Sequence, residues 1–301
     1  MTEANSEQRF GNYILRHILG KQGSSRVYLG EHILFHTPVA IKLIDQQTEN
    51  IPRFIEQATV LTRLKHPHIV PILDFGVHDG SAYLVMQYMS NGDLRQRHPR
   101  GTRLTMPTIV AYVRQLASAL DHVHEQHKIV HRDVKPHNML PGPQGEIMLS
   151  DFGIAVPSHS LHGTLTFLDD FEGTAPYAAP EQLRGAPRCA SDQYALGIVV
   201  YEWLSGTWPF TGDFAAITHQ HFFAPPPSLR AQGVDIPDAL EAVVMRVLEK
   251  EPEQRFPSVG AFADALEHAS NSLQGSQEEI LVMQPAEPFK RQFITPRLFN
   301  L

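Results

Sequence analysis

Residues 127–140 read HKIVHRDVKPHNML. After the apolar pair Ile129 and Val130, one short stretch gathers His131, Arg132, Asp133, Lys135 and Asn138. Such side chains are costly to bury without partners, so this mixture of acid, base and amide is explained more economically by chemistry than by packing. A carboxylate at Asp133 can accept a hydroxyl proton. A lysine two residues on, Lys135, can neutralise a phosphoryl group in transfer. The oxygen of Asn138 can ligate a hard cation such as magnesium. Alone, the stretch also admits a plainer reading, a polar loop following a helix.

Three further stretches carry chemistry-bearing residues in a suggestive order. LGKQGSSRVYLG at 19–30 places glycines in a turn between two strands, where backbone N–H groups can approach phosphate oxygens. VAIK at 39–42 ends a β-branched strand on a lysine, which projects a fixed charge. LSDFG at 149–153 sets Asp151 at a strand end, where its carboxylate can make a second metal contact. Each has an ordinary alternative: a plain hairpin, an exposed strand lysine, an Asp-x-Gly turn. HVHEQH at 122–127 does not match the H-E-x-x-H spacing of a helical zinc site, and the single cysteine, Cys189, supplies no ligand cluster.

The pattern of apolar residues supplies the elements that would hold these groups. Residues 10–45 alternate like strands, and HIVPILDFGVHDG with SAYLVMQYM gives two more, turning at Asp79-Gly80. Between them, Phe54, Ala58, Leu61 and Leu64 share one face of a helix over 52–65. SNGDL reads as a connector. Beyond it, a wide stripe from Ile109 to Val123 predicts a long helix over 107–127. Further helical patterns lie at 190–205, 213–223, 237–249 and 258–273. The expected fold class is therefore α+β: a small β-rich part with one helix, then a larger helical part.

Composition narrows the function. The 301 residues carry a formal net charge of -7, which argues against a nucleic-acid grip built on a basic face. One cysteine excludes an internal disulfide framework and fits a reducing compartment. MTEANSEQRF lacks the basic start and apolar run of a secretion signal, and the most apolar stretch, ALGIVVYEWL, is too short to span a bilayer. The expectation is a cytoplasmic protein with no membrane span and no nucleic-acid partner.

Taken in order, the glycine turn, the strand lysine, HRD with its lysine and asparagine, DFG, and AAPE at 178–181 match the protein-kinase signature set. The chain resembles the Hanks-type serine/threonine kinases, most closely their bacterial members, over about residues 10–270. The resemblance implies a two-lobed protein-kinase fold: an N-terminal extension (1–9), an N-lobe (10–87), a hinge (87–91), a C-lobe (92–270) and a C-terminal tail (271–301). It implies transfer of the γ-phosphoryl of ATP to Ser or Thr hydroxyls of protein substrates, with Mg2+, or Mn2+ in its place. It also implies self-association for autophosphorylation.

By the same resemblance, Leu19, Gly20, Gly23, Val27 and Ala40 would cover the nucleotide, with Met86 as gatekeeper, Gln87 to Met89 as the adenine-pairing hinge and Leu140 on the pocket floor. Lys42 would hold the α- and β-phosphates. Asp133 would be the base, Lys135 the neutraliser of the γ-phosphate, and Asn138 and Asp151 the metal ligands. Glu181 would pair with Arg255, and Asp192 would brace the catalytic loop. Lys135 with Gly173 and Thr174 points to serine/threonine rather than tyrosine acceptors. Thr164 and Thr166, between Asp151 and Glu181, would take a phosphate that Arg132 receives; Asp169 and Asp170 are the alternative source of negative charge.

Two departures from the family pattern stand out. Gln22 and Ser25 occupy the second and third glycine positions of the phosphate loop. The helix register selected by Phe54, Ala58, Leu61 and Leu64 places Gln57 where the family has a glutamate facing the strand lysine; Glu56 lies about 100° away. The rival reading is a pseudokinase, a nucleotide-binding scaffold with weak or no transfer. A small-molecule phosphotransferase of related fold is a third, disfavoured by the APE segment.

Overall fold

The computed structural model describes residues 8–22, 25–44, 51–152 and 174–282. Gly23, Thr164 and Thr166, together with the end of the tail, lie outside the described residues.

The small lobe is an antiparallel sheet of β1 (Arg9–Phe10), β2 (Tyr13–Gln22), β3 (Ser25–His32), β4 (Pro38–Ile44), β5 (Ile72–His78) and β6 (Ser81–Gln87), ordered β1-β2-β3-β4-β6-β5. Helix α1 (Ile51–Leu61) packs on it. The turn between β5 and β6 is where the sequence places it: Asp79 and Gly80 both take positive φ, 49° and 79°. Two left-handed central residues match the twist of a two-residue hairpin.

The period of two along β4 sorts its side chains. Val39 and Ile41 face outward into a cluster with Phe10, Tyr13, Leu15, Tyr83 and Val85. Ala40 faces the other way and packs with Val70, Met86, Met89 and Met148. Ile44, four residues on, packs with Phe54, Ala58 and Leu84 beneath α1. Lys42 lies between Ala40 and Ile44 on that face, so the alternation itself delivers its amine to the cleft.

The large lobe opens, at the end of the SNGDL connector, on a short helix that hydrophobic periodicity does not reveal, α2 (Leu94–Arg97), capped by the Asp93 carboxylate on the Gln96 N–H at 2.8 Å. Then come α3 (Met106–Gln126), the short pair β7 (Met139–Pro141) and β8 (Ile147–Leu149), α4 (Pro180–Leu183), α5 (Cys189–Ser205), α6 (Phe214–Phe223), α7 (Asp238–Val247) and α8 (Val259–Val282). Helix α8 crosses residue 270 unbroken, beyond the helix end expected at 273. The Gln- and Glu-rich stretch there has helix propensity without an apolar stripe, so hydrophobic periodicity does not reveal it. Helix α5 is buried on every side from Ser191 to Ser205, as its near-continuous apolar sequence requires, and is the axis of the main core. No helix among the described residues is long and apolar enough to cross a membrane.

The lobes are stitched at the loop after α1. Leu149 N–H donates to His68 O at 2.9 Å, and Val70 N–H donates to Leu149 O at 3.0 Å. The strand leading to Asp151 is thereby tied to the small lobe.

Three histidines are held neutral by this packing. Burial, then Lys250, lowers His221 to about 3. Burial, then His122 and His68, lowers His66 to about 4. Burial also lowers His131. Each returns to an ordinary value near 6.5 on unfolding. The unfolded chain then binds more protons below that value, so stability is fully present above it and is lost as pH falls toward the folded values. The melting temperature is therefore expected to drop steadily between about pH 6.5 and pH 4, measured by thermal unfolding in matched buffers. A flat profile across that window would contradict these assignments.

Candidate active site

The loop between α3 and β7 is shaped by one buried carboxylate. Asp192, in the first turn of α5, accepts the backbone N–H of His131 at 2.8 Å and that of Arg132 at 2.8 Å. His124 Nε2 reaches the same carboxylate at 2.7 Å. Arg132 is thereby held at φ +69°, a left-handed conformation costing a non-glycine residue about 1 kcal/mol. From the other side, Gln182 Nε2 donates to the Arg132 carbonyl at 2.8 Å.

His131 is fully buried, with its ring 4.6 Å from that of Phe152. Its Nδ1 accepts the Asp133 N–H at 3.2 Å, so its proton sits on Nε2, which donates to Ser150 O at 2.9 Å. The HRD and DFG segments are thus one hydrogen-bonded unit.

Four predicted residues converge beyond it. Lys135 Nζ lies 2.8 Å from Asp133 Oδ1, and the Thr174 hydroxyl donates to that same oxygen at 2.9 Å. Lys135 also donates to Thr174 Oγ1 at 3.0 Å. Asn138 Nδ2 donates to Asp133 Oδ2 and to its backbone carbonyl, both at 2.8 Å. Burial alone would raise the Asp133 pKa. Lys135 and then Asn138 outweigh burial and hold it below the usual carboxylate range, so the group is ionised at neutral pH.

The second carboxylate, Asp151, follows β8 with φ +60°. Its Oδ1 accepts from Lys42 Nζ at 3.0 Å, a contact that crosses from small lobe to large. The sequence reading linked Lys42 to Gln57 and not to Asp151. Gln57 is half-buried and Glu56 exposed, which agrees with the register read from the apolar stripe.

Asn138 and Asp151 are neighbours through Ser150, whose N–H and hydroxyl both donate to Asn138 O, at 2.9 and 3.2 Å. One amide and one carboxylate oxygen suit a cation such as Mg2+, which keeps several waters and takes the rest of its ligands from phosphates. Among the described residues no group of three His, Cys, Asp or Glu forms a softer metal site.

Above the loop, Val27, Ala40, Met86, Met89 and Leu140 share one apolar cluster with Val70 and Met148. Gly20 stands opposite Val27 in the β2–β3 hairpin. Leu19 is not in the cluster; it is 41% exposed, at an irregularity in the strand between Ile18 and Gly20. Gln87 ends β6, and its N–H donates to Pro71 O at 3.0 Å.

Two supports lie farther out. Glu181 and Arg255 form a buried bidentate pair at 2.8 and 2.9 Å. The remaining Arg255 donors go to the carbonyls of Glu249, Ala190 and Lys250, so the guanidinium is satisfied throughout. The other support was not foreseen: Arg95 Nη2 donates to Tyr177 OH at 2.6 Å and to the buried Glu202 carboxylate at 2.7 Å. No local spacing relates residues 95, 177 and 202. His124, by contrast, lies four residues after Leu120 and is buried with the α3 stripe; that spacing is the signal that could have found it.

The protein kinase domain family matches residues 13–269 of this chain. Serine/threonine-protein kinase PknH of Mycobacterium tuberculosis is 38% identical over 294 residues, covering 93% of this chain and 46% of PknH. Serine/threonine-protein kinase PrkC of Bacillus subtilis is 36% identical over 252 residues, covering 82% of this chain and 38% of PrkC. The chain thus spans less than half the length of either relative. Among solved structures, the Mycobacterium tuberculosis PknI kinase domain is similar with a TM-score of 0.69 at 32% identity, covering 90% of this chain and 100% of that one.

The Asp192 contacts generate a stability test. Asp192→Ala strips the acceptor from two backbone N–H groups and from His124, each loss worth about 1–3 kcal/mol. Urea unfolding should show a fall of about 3 kcal/mol or more. A fall below about 1 kcal/mol would mean that the carboxylate does not brace the loop.

Proposed function

This chain belongs to the protein kinase family, and we propose that it is a serine/threonine protein kinase of the bacterial Hanks type, transferring the γ-phosphoryl of ATP to Ser or Thr hydroxyls of proteins. The observation that carries the reading is the convergence of Lys135, Thr174 and Asn138 on an ionised Asp133. A pseudokinase has no need of a carboxylate so held.

The proposed roles follow from the contacts. Asp133 accepts a hydrogen bond from the incoming hydroxyl and orients its oxygen for in-line attack on the γ-phosphorus. The new P–O bond forms as the bond to the β–γ bridging oxygen breaks. The hydroxyl proton passes to Asp133, and ADP leaves with the bonding pair. Lys135, already 2.8 Å from Asp133, stabilises charge on the transferring group. Lys42 can turn from Asp151 to the α- and β-phosphates. Asn138 and Asp151 would hold Mg2+, which supplies charge neutralisation for the phosphates when bound. The Val27, Ala40, Met86 and Leu140 cluster would receive the adenine, and the Gln87 to Met89 backbone would pair with its edge.

The division into extension, N-lobe, hinge, C-lobe and tail belongs to the same proposal. So do phosphate on Thr164 or Thr166 and its capture by Arg132, whose Nε is buried without a hydrogen-bond partner among the described residues.

Asp133→Asn keeps the shape and removes the base. Transfer to an acceptor protein should fall by roughly 10²–10⁴-fold while nucleotide affinity is nearly unchanged. Equal rates would overturn the mechanism. For the small lobe, the proposal makes Gln57 the neutral partner of Lys42. Gln57→Glu should then raise activity or tighten ATP binding modestly, because a charge-assisted contact exceeds a neutral one by about 1 kcal/mol. Glu56→Gln is the matched control. If Glu56→Gln cripples the enzyme and Gln57→Glu is silent, the partner of Lys42 has been misassigned.

A further inference from the structure

The acidic chain contains one strongly basic run, RQRHPRGTR at 95–103, with four arginines in nine residues. It begins on α2 and continues into the connector before α3. The one acid nearby in sequence, Asp93, is engaged as the α2 cap. Arg95 is consumed internally by Glu202 and Tyr177, so it neutralises the buried carboxylate and positions the rest. Arg103 donates Nε to Ser205 O at 3.0 Å. Arg97 and Arg100 are exposed and have no carboxylate partner among the described residues. Arg100 lies over the Trp208 ring, 3.7 Å from its centroid, which flattens the side chain and holds its guanidinium in place.

The location of this charge is what gives it meaning. Trp208 Nε1 donates to the Tyr177 hydroxyl at 3.1 Å, the same oxygen that Arg95 reaches. Tyr177 lies three residues after Thr174, which touches Asp133. Helix α2 also packs against the Pro136–Asn138 turn of the catalytic loop. His137, exposed in that turn, feels the charges of Arg95, Asp93, Lys135 and Asp133 together. The Arg100–Trp208–Tyr177 chain leads back to the segment that carries Thr174, and α2 brings Arg97 to the side of the lobe where the 136–138 turn lies. No large exposed apolar side chain lies between residues 91 and 105 to insert into a bilayer, which favours a peptide over a lipid surface.

We infer that Arg97 and Arg100 form a specificity subsite that selects protein substrates carrying Asp or Glu close to the acceptor Ser or Thr. The inference rests on the kinase reading above and adds the chemical class of substrate. Arg95 belongs to the scaffold of the subsite and is left intact in its test.

The test pairs two acceptor peptides of identical sequence, one with glutamates flanking the acceptor on both sides and one with glutamines there. Steady-state kcat/KM is measured for wild type and for the Arg97→Glu/Arg100→Glu variant at low and high salt. Wild type should prefer the glutamate peptide by about fivefold, the yield of two exposed charge pairs, and salt should erode the preference. The variant should lose or reverse the preference while using the glutamine peptide at the wild-type rate. Equal use of both peptides by wild type, or a preference that survives in the variant, overturns the inference and leaves the kinase reading standing. If wild type labels neither peptide, fluorescence anisotropy of the labelled glutamate peptide on wild type and variant decides the subsite on its own: tighter binding by wild type supports it, and equal binding overturns it. Arginine-dependent binding to phosphatidylserine vesicles, with no peptide discrimination, would also overturn it.

Discussion

The carboxylate of Asp192 fixes the backbone on which the site depends. It sits in the first turn of a helix buried on every side, so its position is set by the core of the large lobe. From there it takes the N–H groups of His131 and Arg132, stabilising the left-handed turn that presents Asp133. Its neighbour Ser191 donates to Glu181 at 2.6 Å, and Glu181 is gripped by Arg255. Two consecutive residues of one helix thus tie down both the catalytic loop and the segment after Thr174. Buried ion pairs add little net stability against a well-packed apolar alternative, but removing one partner of such a pair is severe. Their value here is positional.

The small lobe solves a different problem. It must bring a cation over a site built by the other lobe, and it does so with strand alternation and one bulge-free pairing of β4 against β6. Lys42 and Ala40 share a face because they are two residues apart, so the apolar cluster proposed to receive the adenine and the charged contact with Asp151 are adjacent by construction. The Lys42–Asp151 pair and the His68–Leu149 hydrogen bond are two separate ties between the lobes, one beside the proposed phosphate site and one behind it.

Much of this was legible in the residues. Regular periodicity gave the strands, the α1 register with Gln57 half-buried and Glu56 exposed, and the long helix before the catalytic loop. The position of the turn at Asp79-Gly80 followed from two residues that tolerate positive φ. What stayed hidden was short, non-periodic or non-local. Helix α2 has a single turn and no stripe, and the last helix loses its stripe before its end. The Arg95–Tyr177–Glu202 network joins three segments far apart in sequence. Lys42 lies against Asp151, a pairing across the lobes that no spacing along the chain encodes. The Asp192 contacts were implied only by resemblance, because a carboxylate's backbone partners have no sequence signature.

The function turns on whether the assembled groups move a phosphoryl group. The direct measurement incubates the intact chain with γ-labelled ATP, a divalent cation and a generic acceptor protein, followed by phosphoamino-acid analysis. The predicted result is label on serine or threonine of the acceptor, dependent on the cation. Saturable nucleotide binding with no label on the acceptor or on the chain itself would contradict it.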